Sequence, residues 1–265
     1  MNYGFHLATG GALAAIRRMD VIANNLANSG TAGFKPDFVL ARERPPERLE
    51  GLSRLTDPLA PPQAILEKLG GGVRFDRDRI DLRQGLLEST GNDTDLALRG
   101  DGFFVLAPTD AARASGKAPI EVTRAGDLFI DSDGTFRSAN DGRAFLGETG
   151  RPIRIDPTAE FQVDREGRVM QEGAEVDRFR VVRAKDPLSL EKLGGSVLRV
   201  NGATERVPDG QYAVLQRTLE KSGAEPVVAM VDLTRQSRLM EGNLRMIQYQ
   251  DNLNSQAISG IARVA

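Results

Sequence analysis

Catalytic chemistry in this sequence would have to come from very few side chains. The only histidine is His6, which stands ahead of the first apolar periodicity, and the 265 residues include no cysteine. Ser-His-Asp triads, thiol nucleophiles and cysteine-bound zinc each need one of these two residue types. The composition therefore excludes thiol and disulfide chemistry and leaves one terminal histidine as a weak catalytic candidate.

Two loop-like motifs begin as ligand-binding patterns and then depart from them. Gly100-Asp101-Gly102 opens like a dinucleotide fingerprint, but Val105 stands where the third glycine belongs and no helical pattern follows. Asp131-Ser132-Asp133-Gly134 resembles a calcium loop, yet counting back from its glycine puts Phe129 at the first ligand position. The acidic residues of 93–101 lie among turn formers, where solvated charges are the ordinary explanation. We therefore predict no enzymatic activity, no cofactor and no metal site.

Charge and hydropathy exclude two further classes of protein. The formal net charge is −2, and 35 basic residues are scattered among 37 acidic ones, without the basic stripe that binds nucleic acid. No apolar run approaches the length of a membrane-spanning helix, so we expect no membrane insertion. The apolar stretch 7–16 has no basic residue before it and is followed by Arg17 and Arg18, the reverse of a secretory signal. If the chain leaves the cytoplasm, we expect it to do so without a cleaved signal peptide.

The first positioning element is an amphipathic helix near the N-terminus. Ala12, Ala15, Met19, Ile22 and Leu26 are separated by three or four residues, which is a heptad-like apolar seam. Such a seam is typical of a helix that packs on its own domain. It is equally typical of one that packs on other helices through a narrow contact.

The C-terminal element is a predicted helix from Val227 to about Val264, because no proline interrupts this segment. About 38 residues would span about 57 Å, far beyond the mean helix of about 11–12 residues. A glycine at 242 costs about 1 kcal/mol in a helix interior and suggests close approach to another helix. Two apolar rows repeat every seven residues along it: Leu233, Met240 and Ile247, and beside them Leu239, Met246 and Leu253. We expect this helix to pack with the N-terminal helix and with neighbouring chains.

The middle of the chain lacks the helical periodicity of the two ends and is rich in proline, glycine and turn residues. Residues 36–72 hold six prolines and end in three glycines, which predicts an extended connector with one short helix near 63–69. Residues 73–220 contain short strand-like runs separated by turns such as Asp133-Gly134 and Asp141-Gly142, as in a sandwich or irregular barrel.

We therefore predict an α+β fold with paired, coiled-coil-like N- and C-terminal helices and an irregular, mainly-β middle domain. The predicted segments are an N-terminal helix of an axial core at 1–35, a connector at 36–72, a β domain at 73–223 and a C-terminal helix at 224–265, packing with 1–35.

Four stretches of the chain carry a family resemblance. "MDVIANNLANSGTAGFK" (Met19–Lys35) resembles the N-terminal signature of bacterial flagellar basal-body rod proteins. "QGLLESTGNDTDLALRGDGFFVL" (Gln84–Leu106) and "TRAGDLFIDSDG" (Thr123–Gly134) are similar to the start of that family's β domain. "LEKSGAEPVVAMVDLTRQSRLMEGNLRMIQYQDNL" (Leu219–Leu253) is similar to its C-terminal helix. The four stretches follow the family's order and span nearly the whole chain.

The resemblance implies a structural subunit of the flagellar rod or the related hook. Such proteins are exported by the flagellar type III apparatus without signal cleavage. They polymerise helically with themselves and with other rod or hook axial proteins, their terminal helices forming the inner wall and the β domain facing outward. Chain length, the N-terminal start and the short connector favour the proximal rod. The distal rod is the second choice, and the hook follows because its subunits carry a larger outer domain.

The amides near the end of the first helix are predicted to serve packing and capping. Asn28, Ser29 and Gly30 supply a helix stop, while Asn24 and Asn25 would hydrogen-bond to neighbouring helices or backbone and fix register. The N-terminal seam is expected to meet Leu239, Met246 and Leu253 within a subunit and across neighbours. The residues predicted to act in assembly are Ala12, Met19, Ile22, Asn24, Asn25, Leu26, Asn28, Gly33, Phe34, Arg238, Leu239, Glu241, Met246, Ile247 and Leu253.

Two alternatives remain open from the sequence. The first is an enzyme or carbohydrate-binding β domain with helical oligomerisation arms, which predicts a deep pocket in 73–220 lined by convergent polar groups. The second is a member of the same structural family that caps or blocks rod growth.

Overall fold

The computed structural model describes residues 3–43, 72–108 and 120–262. It confirms an α+β fold with a helix at each end and a mainly-β middle. Most of the predicted connector, including the short helix expected near 63–69, lies outside the described residues. The chain divides into two compact units: unit 1 comprises 1–26, 37–79 and 226–265, and unit 2 comprises 27–36 and 80–225.

Unit 1 is built on the two long helices. Helix α1 spans Tyr3–Ala27 (25 residues), and helix α2 spans Pro226–Ala262 (37 residues), close to the length that the proline-free segment predicts. Pro226 occupies the first helical position, where its missing N–H costs no hydrogen bond. Unit 1 also contains an antiparallel pair of short strands, in which Ala41 lies opposite Phe75.

Nineteen short strands are present in the described part of the chain. In chain order they are β1 Asp37–Phe38, β2 Ala41–Glu43, β3 Val73–Phe75, β4 Arg79–Ile80, β5 Leu87–Ser89, β6 Leu96–Gly100, β7 Phe103–Leu106, β8 Ile120–Thr123, β9 Leu128–Ile130, β10 Phe136–Ser138, β11 Phe161–Val163, β12 Arg168–Gln171, β13 Ala174–Arg178, β14 Val181–Ala184, β15 Leu190–Gly194, β16 Val197–Val200, β17 Thr204–Arg206, β18 Tyr212–Gln216 and β19 Thr218–Glu220.

The largest sheet of unit 2 has six antiparallel strands in the order β15-β16-β8-β7-β14-β17. Strand β7 lies inside it and is buried on both faces, since successive side chains of a strand point to opposite sides. Phe104 and Leu106 belong to one apolar cluster, which includes Phe145. Phe103 and Val105 belong to a second cluster. The run "DGFFVL" thus contains a strand that is buried on both faces.

The predicted turns connect short hairpins. Gly134 has a positive φ of 73° and lies between β9 and β10, which pair in antiparallel register. Gly167, with φ of 80°, stands between β11 and β12 in the same way. Each of these φ values lies in the left-handed region, where glycine carries no steric penalty. The remaining strands of unit 2 form small sheets of two or three strands around the main sheet.

The side chain of Asp127 in unit 2 is half-buried. Asp127 accepts a hydrogen bond from Asn140 Nδ2 at 3.2 Å, and its backbone bridges to that of Asp95. Burial raises the pKa of Asp127 to about 6, and the charges of Asp95 and Asp141 add to the rise. The folded chain therefore keeps this proton over a pH range in which the unfolded chain has lost it.

Asp127→Asn is expected to stabilise the chain at neutral pH and not in acid. Because the folded pKa lies above the unfolded value, wild-type stability falls as pH rises from about 4 to about 6. Asparagine retains the acceptor oxygen for Asn140 and carries no charge, so the variant should gain about 1–3 kcal/mol at pH 7. Urea unfolding at pH 4, 5, 6 and 7 measures the difference. Asp133→Asn, at an exposed turn, is the control and should stay flat; a gain at Asp127 that does not vary with pH would contradict the assignment.

Candidate assembly surface and junction

The predicted seam of α1 has a graded burial. Ala12 and Ala15 are buried, whereas Met19, Ile22 and Leu26 are half-buried. The side of the helix that is least exposed also contains small or polar residues at seven-residue spacing. Taken together, the inward stripe of α1 is Gly4, Ala8, Gly11, Ala15, Arg18, Ile22 and Asn25.

The inward stripe of α2 follows the same three-and-four spacing. Its half-buried members are Ala229, Leu233, Gln236, Met240, Asn243, Ile247 and Gln250. Ile247 was among the predicted assembly residues, and it lies on this stripe. Every second member of the stripe after Leu233 is an apolar side chain, and the members between them are amides. Within one chain, therefore, the row that turns inward is the row of Leu233, Met240 and Ile247.

The other predicted row faces away from that stripe. Leu239, Met246 and Leu253 are 53%, 51% and 47% exposed, whereas Met240, Ile247 and Gln250 of the stripe are half-buried. Arg238 and Glu241 are exposed as well. Leu239 nevertheless lines a cavity together with Ala14 and Ala15 of α1. The contact of this row with the α1 seam stays a prediction, both within the subunit and across neighbouring chains.

Both helices expose more apolar surface than an isolated soluble helix pair usually carries. Large side chains at these positions are normally scattered singly on a monomer, and clusters of them mark interaction surfaces. The first turn of α2 is apolar on every side, which is typical of a helix that is enclosed on every side. The exposed large apolar residues of unit 1 are Phe5, Leu7, Leu13, Ile16, Phe38, Val73, Val227, Val228, Met230, Val231, Leu239, Leu244, Met246, Tyr249 and Leu253.

The helices touch where α1 has glycines. A β-carbon at Gly4 would overlap the amide of Gln250, and one at Gly11 would lie 2.8 Å from Asn243 Oδ1. A shallow cavity of about 410 Å³ in unit 1 is lined by both helices and by the β2–β3 pair, with Arg18, Gln236 and Asn243 among its polar residues. By contrast, a β-carbon at Gly242 would meet open space, so close approach within the chain occurs at the α1 glycines instead.

The asparagines near the end of α1 have different partners. Asn25 donates from Nδ2 to the Asp37 carbonyl at 2.7 Å and accepts from the Asp37 N–H at 3.0 Å, so its amide pairs with backbone in the manner of a strand. Asn28 follows the last helical residue, and its carbonyl accepts from the Thr31 N–H at 3.1 Å. Asn24 is exposed on the helix surface. Asn25 therefore serves the fold of its own subunit, whatever it does in an assembly.

Beyond the helix, the Gly33-Phe34 segment is built into unit 2. The Gly33 N–H donates to the Glu220 carbonyl at 2.7 Å, and the Gly223 N–H donates to the Phe34 carbonyl at 2.9 Å. Gly33 has φ of 64°, and a β-carbon there would overlap the backbone of Arg124 and Ala125. Phe34 is almost fully buried, with Lys192 Nζ 4.0 Å from its ring centre. The segment leaving α1 is thus joined to the segment entering α2 by a pair of backbone hydrogen bonds.

A buried ionic cluster closes this junction. Lys35 Nζ lies 2.5 Å from Glu220 Oε1 and donates to the Arg83 carbonyl at 2.7 Å. Arg124 Nη1 lies 3.3 Å from Glu220 Oε2, and the Gly85 N–H donates to Oε1. Lys35 and Glu220 are 3% and 1% exposed. Desolvation lowers the pKa of Lys35, and the Glu220 carboxylate offsets part of that shift.

Gly33 and Phe34 are among the assembly residues predicted from the sequence. The three charged members of this cluster, Lys35, Arg124 and Glu220, are not. Glu220 and Arg124 are distant in sequence from Lys35, and nothing in their local patterns distinguishes them from solvated charges. The available signal was that all three fall within the stretches that resemble the rod family.

Unit 2 also holds a small cavity of about 300 Å³ beside β14 and β17. Its polar residues include Glu148 and Arg206, which form an ion pair with each other. Its aromatic side chains are Phe179, which is part of the core, and Tyr212. Its volume lies at the lower end of the usual range for ligand pockets, about 300–1,000 Å³.

Within the described residues, no group of three or more His, Cys, Asp or Glu side chains is placed to hold a metal ion. Over the same residues, no helix has the length and apolar character needed to cross a membrane.

The described residues combine two long helices that expose large apolar side chains with a mainly-β unit that holds a buried ionic cluster. Residues 6–35 match the family model described as "Flagella basal body rod protein". The chain is 28% identical over 254 residues to the flagellar basal-body rod protein FlgF of Caulobacter vibrioides, covering 94% of this chain and 93% of the relative. Residues 6–35 thus match the rod-family model, and the whole chain is similar to flagellar basal-body rod proteins.

Two other relatives mark the breadth of the similarity. The flagellar basal-body rod protein FlgG of Bacillus subtilis is 25% identical, with 91% of this chain and 92% of the relative covered. The flagellar hook protein FlgE of Treponema pallidum is 29% identical over 175 residues, which is 66% of this chain and 36% of the relative. The similarity to rod proteins is therefore end to end, while the similarity to this hook protein is partial.

Proposed function

We propose that this chain is a structural subunit of the bacterial flagellar rod that assembles through its two terminal helices. The observation that carries the proposal is the dense apolar surface on α1 and α2, including a first turn of α2 that is apolar on every side and largely exposed. A helix of that kind is stable when neighbouring chains cover it. The reaction is association alone, and no bond is made or broken.

The two helices pair in a coiled-coil-like manner in the assembled core. Supporting this, each helix has an inward stripe with three-and-four spacing, and the α1 glycines lie against the α2 amides. The outward row of Leu239, Met246 and Leu253 then contacts copies of this chain or other rod and hook axial proteins. Many parallel contacts of this type distribute a torsional load over an array.

The junction gives the load a path into the β unit. Force along α1 reaches residues 33–35 directly through the chain, and force along α2 reaches Gly223 in the same way. Both segments are tied to Glu220 or to its neighbours by hydrogen bonds and by the Lys35 ion pair. A buried cluster held by two ion pairs and several hydrogen bonds restricts the geometry of the junction, which suits a part that transmits torque.

We place the subunit in the proximal rod, exported by the flagellar type III apparatus without cleavage of a signal peptide. The support is the chain's length, which matches a rod relative end to end, and the charge order around 7–16, which is the reverse of a secretory signal. The distal rod and the hook remain the alternatives within the axial family.

A deletion strain and cryo-electron microscopy of its basal bodies test the proposal. Deletion is expected to abolish swimming, with basal bodies that stop at the rod stage, and an affinity-tagged copy should appear in the proximal tier of complemented basal bodies. Normal flagella in the deletion strain would contradict a structural role. Extended rods in that strain would show instead that the chain caps or limits growth.

A further inference from the structure

Glycines on α1 and amides on α2 oppose each other at equal spacing. Gly4 lies against Gln250 and Gly11 against Asn243, so seven residues forward on α1 correspond to seven residues backward on α2. One further step of seven leads to Arg18 and Gln236, which line the same cavity. The contact therefore repeats with a period of seven in an antiparallel sense.

Each glycine is needed by its amide partner. A β-carbon at Gly4 or Gly11 would occupy the space that the Gln250 or Asn243 side chain fills. Gly10, next to Gly11 on the same helix, would place a β-carbon in open space. Glycine is a poor helix former, and the stripe positions on either side of Gly11 are alanines at 8 and 15. From Gly4 to Ala15 of this stripe, glycine thus occurs only at the positions that an amide faces.

The amides sit in the seam at a cost in hydrogen bonding. Oε1 of Gln236 and Oε1 of Gln250 are buried, and neither has a hydrogen-bond partner in the described structure. Asn243 Nδ2 donates back to the Leu239 carbonyl of its own helix at 2.9 Å. Polar residues at seam positions of coiled coils lower stability while they fix register and choice of partner.

Apolar stripes alone would leave the register undecided. Both stripes advance by three and four residues, so a shift by three or four brings stripe residues together again. Such a shift would place the β-carbon of Ala8 or Ala15 against Gln250 or Asn243, whose side chains lie against Gly4 and Gly11 in the observed register. The alternation of glycine with alanine therefore removes these shifted pairings and keeps only steps of seven.

We infer that Gly4 and Gly11 form a notched recognition surface on α1, and that the partner it fits is an antiparallel helix with an asparagine or glutamine at every seventh position. In this chain α2 is that helix. The notches select it, and its register, over helices that share only the apolar heptads. This inference rests on the helix pairing proposed above and goes beyond the assignment to the rod.

The matched pair of Gly11→Ala and Gly10→Ala tests the notch. The chain lacks native cysteine, so Gly4→Cys with Gln250→Cys reports the observed register by disulfide formation, and Ala8→Cys with Gln250→Cys reports a shift of four residues. In the purified full-length chain the first pair is expected to cross-link at least about tenfold faster than the second. Gly11→Ala should reduce the first cross-link severalfold, whereas Gly10→Ala should leave it unchanged.

A compensating change keeps the test decisive if Gly11→Ala alone disturbs folding. Adding Asn243→Ala removes the opposing side chain and should restore the cross-link to near the parental rate. Equal effects of Gly10→Ala and Gly11→Ala, or equal cross-linking by the two cysteine pairs, would overturn the inference. Because the readout is made on the isolated chain, such a failure is distinct from failure of the rod assignment, which is read from basal bodies.

Discussion

Glu220→Gln is expected to destabilise unit 2 by about 3–5 kcal/mol, the cost of breaking a buried ion pair by removing one partner. Glutamine keeps the shape of the side chain but leaves Lys35 and Arg124 as two buried cations with no anion between them. It also presents an N–H group to a site that now receives three donors, from Lys35, Arg124 and Gly85. Urea unfolding followed by circular dichroism measures the loss.

The neighbouring exposed ion pair supplies the control. Lys221 and Glu88 form a salt bridge with side chains 54% and 53% exposed, and exposed pairs contribute about 0–1 kcal/mol. Glu88→Gln should therefore change stability by less than about 1 kcal/mol. A Glu220→Gln variant no less stable than the Glu88→Gln variant would show that the junction cluster does not hold the unit together.

Leu239→Asp is expected to abolish swimming while the chain remains folded. Leu239 is 53% exposed, so a carboxylate there stays hydrated in the isolated chain and costs little. In an assembly that covers this row, the same charge would be buried without a partner, a penalty of several kcal/mol at every subunit contact. Swimming in soft agar and recovery of the variant in purified basal bodies measure the effect.

Leu188→Asp is the matched control for that prediction. Leu188 is 52% exposed, carries the same side chain and lies in unit 2, outside the two helices proposed to assemble. The variant should fold, enter basal bodies and swim. If Leu239→Asp also swims at the wild-type rate, the outward row of α2 is not an assembly surface and the proposed use of that row is wrong.

The sequence by itself was sufficient for the elements whose signals are local. The three-and-four spacing from Ala12 to Leu26 predicts α1, and the absence of proline after Pro226 predicts the long α2. The Asp133-Gly134 turn predicts the β9–β10 hairpin, because turn chemistry depends on neighbouring residues only. The lack of cysteine and the single histidine limit the available chemistry directly from composition.

The tertiary structure was needed wherever residues far apart in sequence meet. Two adjacent apolar rows on α2 have the same seven-residue spacing in the sequence. Only the structure shows that Met240 of one row is half-buried while Leu239 of the other is exposed. Asn25 was expected to hydrogen-bond either to neighbouring helices or to backbone, and the structure shows its amide paired with the backbone of Asp37 in its own subunit. Its role in register between chains stays a prediction. The sequence is compatible with either partner, because an asparagine amide can hydrogen-bond equally well to a neighbouring helix or to backbone.

The junction cluster shows the same limit most clearly. Lys35, Arg124 and Glu220 are ordinary charged residues in the sequence, and 185 positions separate the lysine from the glutamate. Periodicity and turn chemistry were sufficient to predict the helical arms and the β middle of this chain. Only the tertiary structure decided which face of each arm is covered and which charges are buried, because burial and pairing depend on distances between segments that local sequence patterns do not encode.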